Sequence, residues 1–171
     1  MPPLRESGEV VRLLAKRLRL GAFSRAPFRP VRFETKADEA QCDWFVRSAD
    51  PWDSDLRSDI RERNESAQAL LDALAVRDVI FEVMPTARSA FLRGFRQPAR
   101  EPPELIIAGT VDREGTVARV DSVAMQAKLL GLCFRLEEGV LRSLESNQSL
   151  NRLTLTRRPL WVEEEYRNGS K

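Results

Sequence analysis

The chain has 171 residues, 42% of them hydrophobic and 32% charged, with a formal net charge of +2. That is the composition of an ordinary folded protein, long enough for one domain with a sizeable core and extensions at its ends. It contains no histidine, which removes Ser-His-Asp and Cys-His catalysis, histidine-ligated zinc and haem, and any imidazole pH switch.

The two cysteines, Cys42 and Cys133, form no CxxC and are too few for a four-cysteine metal site. Both read as small reduced core residues of a cytoplasmic protein. No apolar run approaches the roughly 20 residues that span a bilayer. The near-neutral total hides a polarity: residues 1–32 hold eight basic side chains against two acids, whereas residues 34–65 hold ten acids against five bases. Only four of the 28 cations are lysines. Arginine's planar fork suits phosphates and carboxylates, but these arginines are scattered along the chain, so their excess alone assigns no ligand.

In chain order, residues 9–20 read as a short amphipathic helix, with Val10, Leu13, Leu14 and Leu18 at helical spacing and Gly21 as its stop. Arg12, Lys16, Arg17 and Arg19 make it basic. Such a helix fits a docking arm, a membrane-surface or organellar-targeting helix, or an element packed on its own domain. Pro27 and Pro30 mark a connector. Val31 to Thr35 alternates apolar with polar, Lys36 to Glu39 makes a turn, and Gln41 to Arg47 returns with Cys42, Trp44 and Val46 on one face, giving a hairpin. Phe33, Trp44, Phe45 and Trp52 concentrate aromatics here, with the core as their expected place.

Pro51 breaks the strand. Asp53 or Ser54 is a helix cap, and a long helix is expected within 54–84, either continuous or broken near Asn64 and ended by Pro85. Ser89 to Arg96 is a third strand with Gly94 as a bulge, and Gln97 to Pro103 is a loop. The most strand-like run is Leu105 to Val111. The pattern predicts a partner strand folding back over Thr116 to Val120, then a helix capped by Asp121 or Ser122 with Val123, Ala124, Ala127, Leu129 and Leu130 as its apolar set. Either Gly131 ends that helix, Leu132 to Leu136 alternates as a strand and a further helix follows from Glu138 to Glu145, which is the preferred reading, or helix runs on to Ser146 with Gly139 inside it; Leu150 to Thr156 reads as an edge strand.

The expected fold is α+β: a mostly antiparallel sheet of four to five strands packed by two main helices, with an N-terminal amphipathic helix and a C-terminal arm. The organisation is a basic helix and linker over 1–30, a single domain over 31–156 and a tail over 157–171. Two helices cover only one face of such a sheet, so the other is polar or covered by a partner, the N-terminal helix or the tail.

The acids Asp50, Asp53, Asp55 and Asp59 fit helix capping and the helix dipole better than an EF-hand, which needs a glycine at the sixth loop position and a glutamate at the twelfth. There is no GxGxxG and no GxxxxGK[ST]. No cofactor, metal or small-molecule ligand is therefore expected. The functional expectation is a non-catalytic protein–protein interaction module, an adaptor or accessory subunit that binds another protein or itself through Arg12, Leu13, Lys16, Arg17, Arg19, Trp52, Trp161 and Tyr166. Nucleic-acid binding through the basic N-terminal arm is the alternative. An enzyme with carboxylate chemistry is the third reading, and it requires a pocket with two or more carboxylates of raised pKa.

Overall fold

A computed structural model describes residues 4–48, 50–115 and 119–144. The order of elements is α1 (Leu4–Arg17), β1 (Arg29–Lys36), β2 (Glu39–Phe45), a 3₁₀ turn (Pro51–Asp55), α2 (Ser58–Val83), β3 (Ser89–Arg96), β4 (Glu104–Asp112), α3 (Val123–Leu129), β5 (Arg135–Glu137) and β6 (Val140–Arg142). β1 to β4 form one sheet in spatial order 1-2-3-4, and β5 and β6 a separate hairpin. The fold is α+β. Two of the three pairings in the main sheet are antiparallel and the central one, β2 on β3, is parallel.

That parallel pairing follows from α2. A helix of 26 residues is about 39 Å long at 1.5 Å per residue. It returns the chain to the start of the sheet, as a crossover between parallel strands must. It is continuous through Asn64. Its start lies later than the sequence suggested, because Asp50 caps the 3₁₀ turn instead, accepting the Trp52 N–H at 3.1 Å. Arg57, the residue before α2, makes no side-chain cap.

The main core lies between the helices and one face of the sheet. Val10 and Leu14 of α1, Ala69, Leu70, Ala73, Val76, Val79 and Ile80 of α2, and Ala127 of α3 meet Cys42, Trp44, Leu92, Ile107 and Val111 there. α1 is therefore an integral element: its apolar stripe is spent on its own domain. The register shifts opposite Gly94 and Phe95, but the extra residue is Ile106 on β4 and not Gly94; Gly94's missing side chain instead admits the Trp44 indole.

Three sequence expectations fail for identifiable reasons. The strand expected over Thr116 to Val120 is not seen in its described part. Residues 116–118 lie outside the described part, and Arg119 and Val120 are not in a strand. The free edge of β4 is taken instead by the segment after α3, through Ala108 N–H to the Cys133 carbonyl at 3.0 Å, Cys133 N–H to the Ala108 carbonyl at 2.7 Å, and Leu144 N–H to the Leu105 carbonyl at 2.9 Å. The helix expected at 138–145 is replaced by the β5–β6 hairpin, whose corner residues Glu138 and Gly139 have φ of 53° and 83°. Positive φ at both positions is the backbone of a two-residue hairpin turn that matches strand twist. Finally, Cys133 is exposed, since it sits on this outer edge, and only Cys42 is buried. The proposed edge strand at 150–156 and the C-terminal arm lie outside the described residues.

The two thiols should therefore separate chemically. Burial pushes the Cys42 thiol far above its ordinary value, and the neighbouring Asp43 carboxylate adds to the shift. A thiolate is the reactive species, so an aromatic disulfide reagent should titrate one thiol, Cys133, in the native protein and both after unfolding. Fast reaction of two native thiols contradicts this.

Candidate interaction surface

The 3₁₀ turn and the start of α2 leave a row of apolar side chains in water. Trp52 is 82% exposed, and Leu56 and Ile60 are exposed as well. Pro51 at the first position of the turn and Asp50 as its cap fix the backbone here, so the indole is presented by a defined element. Asp53 is half-buried, and Asp55 is exposed. Together with Asp50 they give the Trp52 end of the row an acidic rim, whereas Asp59 is paired with the exposed Arg57 at 3.2 Å. Among the described residues no group of three or more Asp, Glu or Cys side chains is placed to hold a metal ion.

The basic residues lie elsewhere. Arg12 and Lys16 are exposed on α1, and Arg19 is exposed in the bend just after it. Arg17 is engaged with Glu82 near the end of α2, its guanidinium nitrogens 2.6 Å from the carboxylate oxygens. Leu13 is half-buried against the main core. Glu82 lies near the C-terminal end of α2 and Ile60 near its N-terminal end, so Arg17 and the Trp52 row mark opposite ends of one 26-residue helix. They are two surfaces. Trp161 and Tyr166 fall outside the described residues.

Sequence reasoning missed the interior arginines. Arg47 donates from Nε and Nη2 to the two oxygens of Asp72 at 2.9 and 2.8 Å, with both side chains fully buried. Gln68 donates to the same carboxylate at 2.8 Å, and its own oxygen accepts the Phe23 N–H at 2.8 Å. This network ties the loop after α1 and the end of β2 to the middle of α2. Arg77 reaches out of α2 to the carbonyls of Asp112, Arg113 and Gly115. Arg113 in turn donates to the carbonyls of Phe81, Met84 and Ala87 at the end of α2, with both guanidiniums over the Phe81 ring. These two arginines add donors to carbonyls at a helix end and a turn, of which Met84 and Asp112 also accept the backbone N–H groups of Ala87 and Gly115. Arg93 pairs with Asp43 across β2 and β3 at 2.9 and 2.5 Å. Only Arg93 carries a visible sign, standing inside the apolar run Ala90 to Phe95.

A cavity of about 320 Å³ opens at the carboxyl ends of β2 and β3. Its lining includes Phe45, Arg29, Arg47, Arg96 and one carboxylate, Glu65. Burial raises the Glu65 pKa, Arg96 opposes the shift and Glu62 reinforces it. The other carboxylate raised by burial, Asp72, is sealed against Arg47. The arrangement is one carboxylate held by Arg96, not a pair poised to share acid and base roles.

The sign of the Glu65 effect is testable. A carboxyl whose folded pKa lies above its unfolded value binds more protons when folded, so stability falls as pH rises from the unfolded value through the raised one. Glu65→Gln should remove that decline and flatten urea stability across the weakly acidic range. A parallel decline in wild type and variant rules Glu65 out as its source.

No family model, curated protein or solved structure matches this chain.

Proposed function

We propose that the protein is a non-catalytic interaction module, an adaptor or accessory subunit, that docks a protein partner on the apolar row Trp52, Leu56 and Ile60. The observation that carries this reading is the 82% exposure of Trp52 on an ordered turn. Leaving an indole in water forgoes roughly 2 kcal/mol or more of burial, and anchored aromatics of this kind dominate binding energy at interfaces. The acidic rim of Asp50, Asp53 and Asp55 beside Trp52 selects a partner whose apolar pocket is edged with Lys or Arg.

The exposed Arg12 and Lys16 of α1, with Arg19 just beyond it, support a second reading, contact with a nucleic-acid backbone. The two are separable. Tagged full-length protein and its Trp52→Ala and Ile60→Ala variants should be compared for retained proteins in native extract, with and without nuclease. The expected result is a protein set resistant to nuclease and lost in both variants, at a cost of about 2 kcal/mol or more in affinity for Trp52→Ala once a partner is purified. Identical retention by wild type and Trp52→Ala overturns the docking surface. Loss on nuclease treatment, or in an Arg12, Lys16, Arg19 triple alanine variant alone, moves the function to nucleic acid.

A further inference from the structure

The cavity at the carboxyl ends of β2 and β3 gathers charges that the fold leaves poorly matched. β2, α2 and β3 form one crossover unit, and the crevice outside the ends of its parallel strands is where such units take small ligands. Arg47 in the wall is neutralised by Asp72. Arg96 is divided: it donates to the Leu141 carbonyl at 3.0 Å, while Glu104 and Glu65 stand 3.6 and 3.7 Å away. Both distances exceed a hydrogen bond, so Glu65 is a largely desolvated carboxylate, 21% exposed, with no close donor from Arg96. Burial raises its pKa accordingly. Arg29, at the start of β1, is exposed and makes no hydrogen bond or ion pair among the described residues. Arg29 and Glu65 line the same cavity without pairing across it.

We infer that this cavity binds a small zwitterion of the amino-acid class with an apolar side chain, its carboxylate on Arg29 and its ammonium on Glu65. A guanidinium fork matches a carboxylate with two parallel hydrogen bonds. An ammonium brings the N–H donors that Glu65 lacks. Charge excludes the simpler ligands. A plain anion sets a second negative charge beside Glu65 and Glu104, and a plain cation leaves Arg29 unmatched and faces Arg96. The apolar part of the wall, half-buried Phe45 and Val46, suits a hydrocarbon side chain. The volume of about 320 Å³ lies at the small end of ligand sites, which fits an amino acid and not a dinucleotide.

Isotope-labelled full-length protein, titrated in the NMR spectrometer, tests this with three probes: L-leucine, isocaproate, which lacks the ammonium, and isopentylamine, which lacks the carboxylate. The amide signals of Val46 and Gln97, both in the cavity wall, report occupancy. Leucine is expected to saturate them with a dissociation constant of about 1 mM or tighter, and each half-ligand to bind at least about tenfold more weakly. Arg29→Ala should weaken leucine and isocaproate about tenfold and leave isopentylamine unchanged. Glu65→Gln should weaken leucine and isopentylamine and leave isocaproate unchanged. Three results overturn the inference: no saturable shift of these amides with leucine; a half-ligand that binds as tightly as leucine, which makes the cavity a plain anion or cation site; or leucine affinity unchanged in either variant. Should Glu65→Gln unfold, the three probes on the wild-type chain and Arg29→Ala decide.

Discussion

Arg47→Ala is expected to destabilise the protein by about 3–5 kcal/mol, the cost of leaving a buried charge without its partner. Asp72 has no exposure through which to recover water, and the guanidinium that faces it makes two of its hydrogen bonds. Loss of that group also frees the Ala26 carbonyl, which Arg47 Nη1 holds at 3.3 Å. The penalty should shrink in acid. Without Arg47 only Gln68 still favours the ionised form, while burial raises the Asp72 pKa. The folded variant then binds more protons than the unfolded chain over the range above the ordinary carboxylate value, so its stability falls as pH rises through that range. Urea unfolding of Arg47→Ala should show a smaller deficit near about pH 4 than near about pH 7. The double replacement Arg47→Met with Asp72→Leu should recover most of the loss, because a matched apolar pair abolishes the desolvation of both charges. A single variant within about 1 kcal/mol of wild type would show that the pair is not sealed.

The same residues show why part of this fold could be read from sequence and part could not. The hairpin of β1 and β2, the long helix and the bounds of β3 follow from local signals: alternation at Val31 to Thr35, an apolar stripe that thickens between Leu71 and Met84, and Gly94 inside an aromatic strand. These elements need little knowledge of their partners. The β5–β6 hairpin is different. Glu138 and Gly139 look tolerable inside a helix, and what makes them a turn is external: Leu141 N–H bonds to Ser66 Oγ on α2 at 2.9 Å, and Arg96 bonds to the Leu141 carbonyl at 3.0 Å. Likewise the parallel pairing of β2 with β3 is set by the return path of α2, which no residue in either strand announces. Leu105 to Val111 is legible as a strand, but its place at the end of the four-stranded sheet is not, because edges are chosen by competition among distant segments.

Charge patterning misled in one direction. Arginines scattered along a sequence suggest a solvated surface, yet Arg47, Arg77 and Arg93 lie inside. α2 explains this. Its buried set includes Ser66, Gln68, Asp72 and Arg77 alongside Ala69, Ala73, Val76 and Ile80, so the helix is wrapped on several sides and the polar part of its surface has to be satisfied within the fold. Arg12 and Lys16 of α1 lie in water, while the helix itself is packed on its own domain and is no free arm. Trp52 was named both as an anchor and as a core candidate. Only the fixed turn at Pro51 to Asp55 separates the two.

Trp44 and Trp52 should accordingly give opposite results in one experiment. Trp44 is fully buried, with its ring 6.2 Å from that of Phe28 and its six-membered ring where a Cβ on Gly94 would sit 3.1 Å away. Gly94 leaves that space, so the indole fills a notch no other described side chain occupies. Trp44→Ala should cost about 3–5 kcal/mol, as large-to-small changes in packed cores do. Trp44→Phe should cost much less than the alanine change. The Trp44 Nε1–H is buried without an acceptor, and phenylalanine removes that unsatisfied donor while keeping most of the ring. Trp52→Ala should leave stability within about 0.5 kcal/mol of wild type, since its side chain loses no contact that folding made, and its effect should appear only in binding. Urea midpoints of the three variants at one pH check all of this. The decisive order is Trp52→Ala nearest wild type, then Trp44→Phe, then Trp44→Ala. A strongly destabilised Trp52→Ala would mean that the exposed row is packed within the domain and cannot serve a partner.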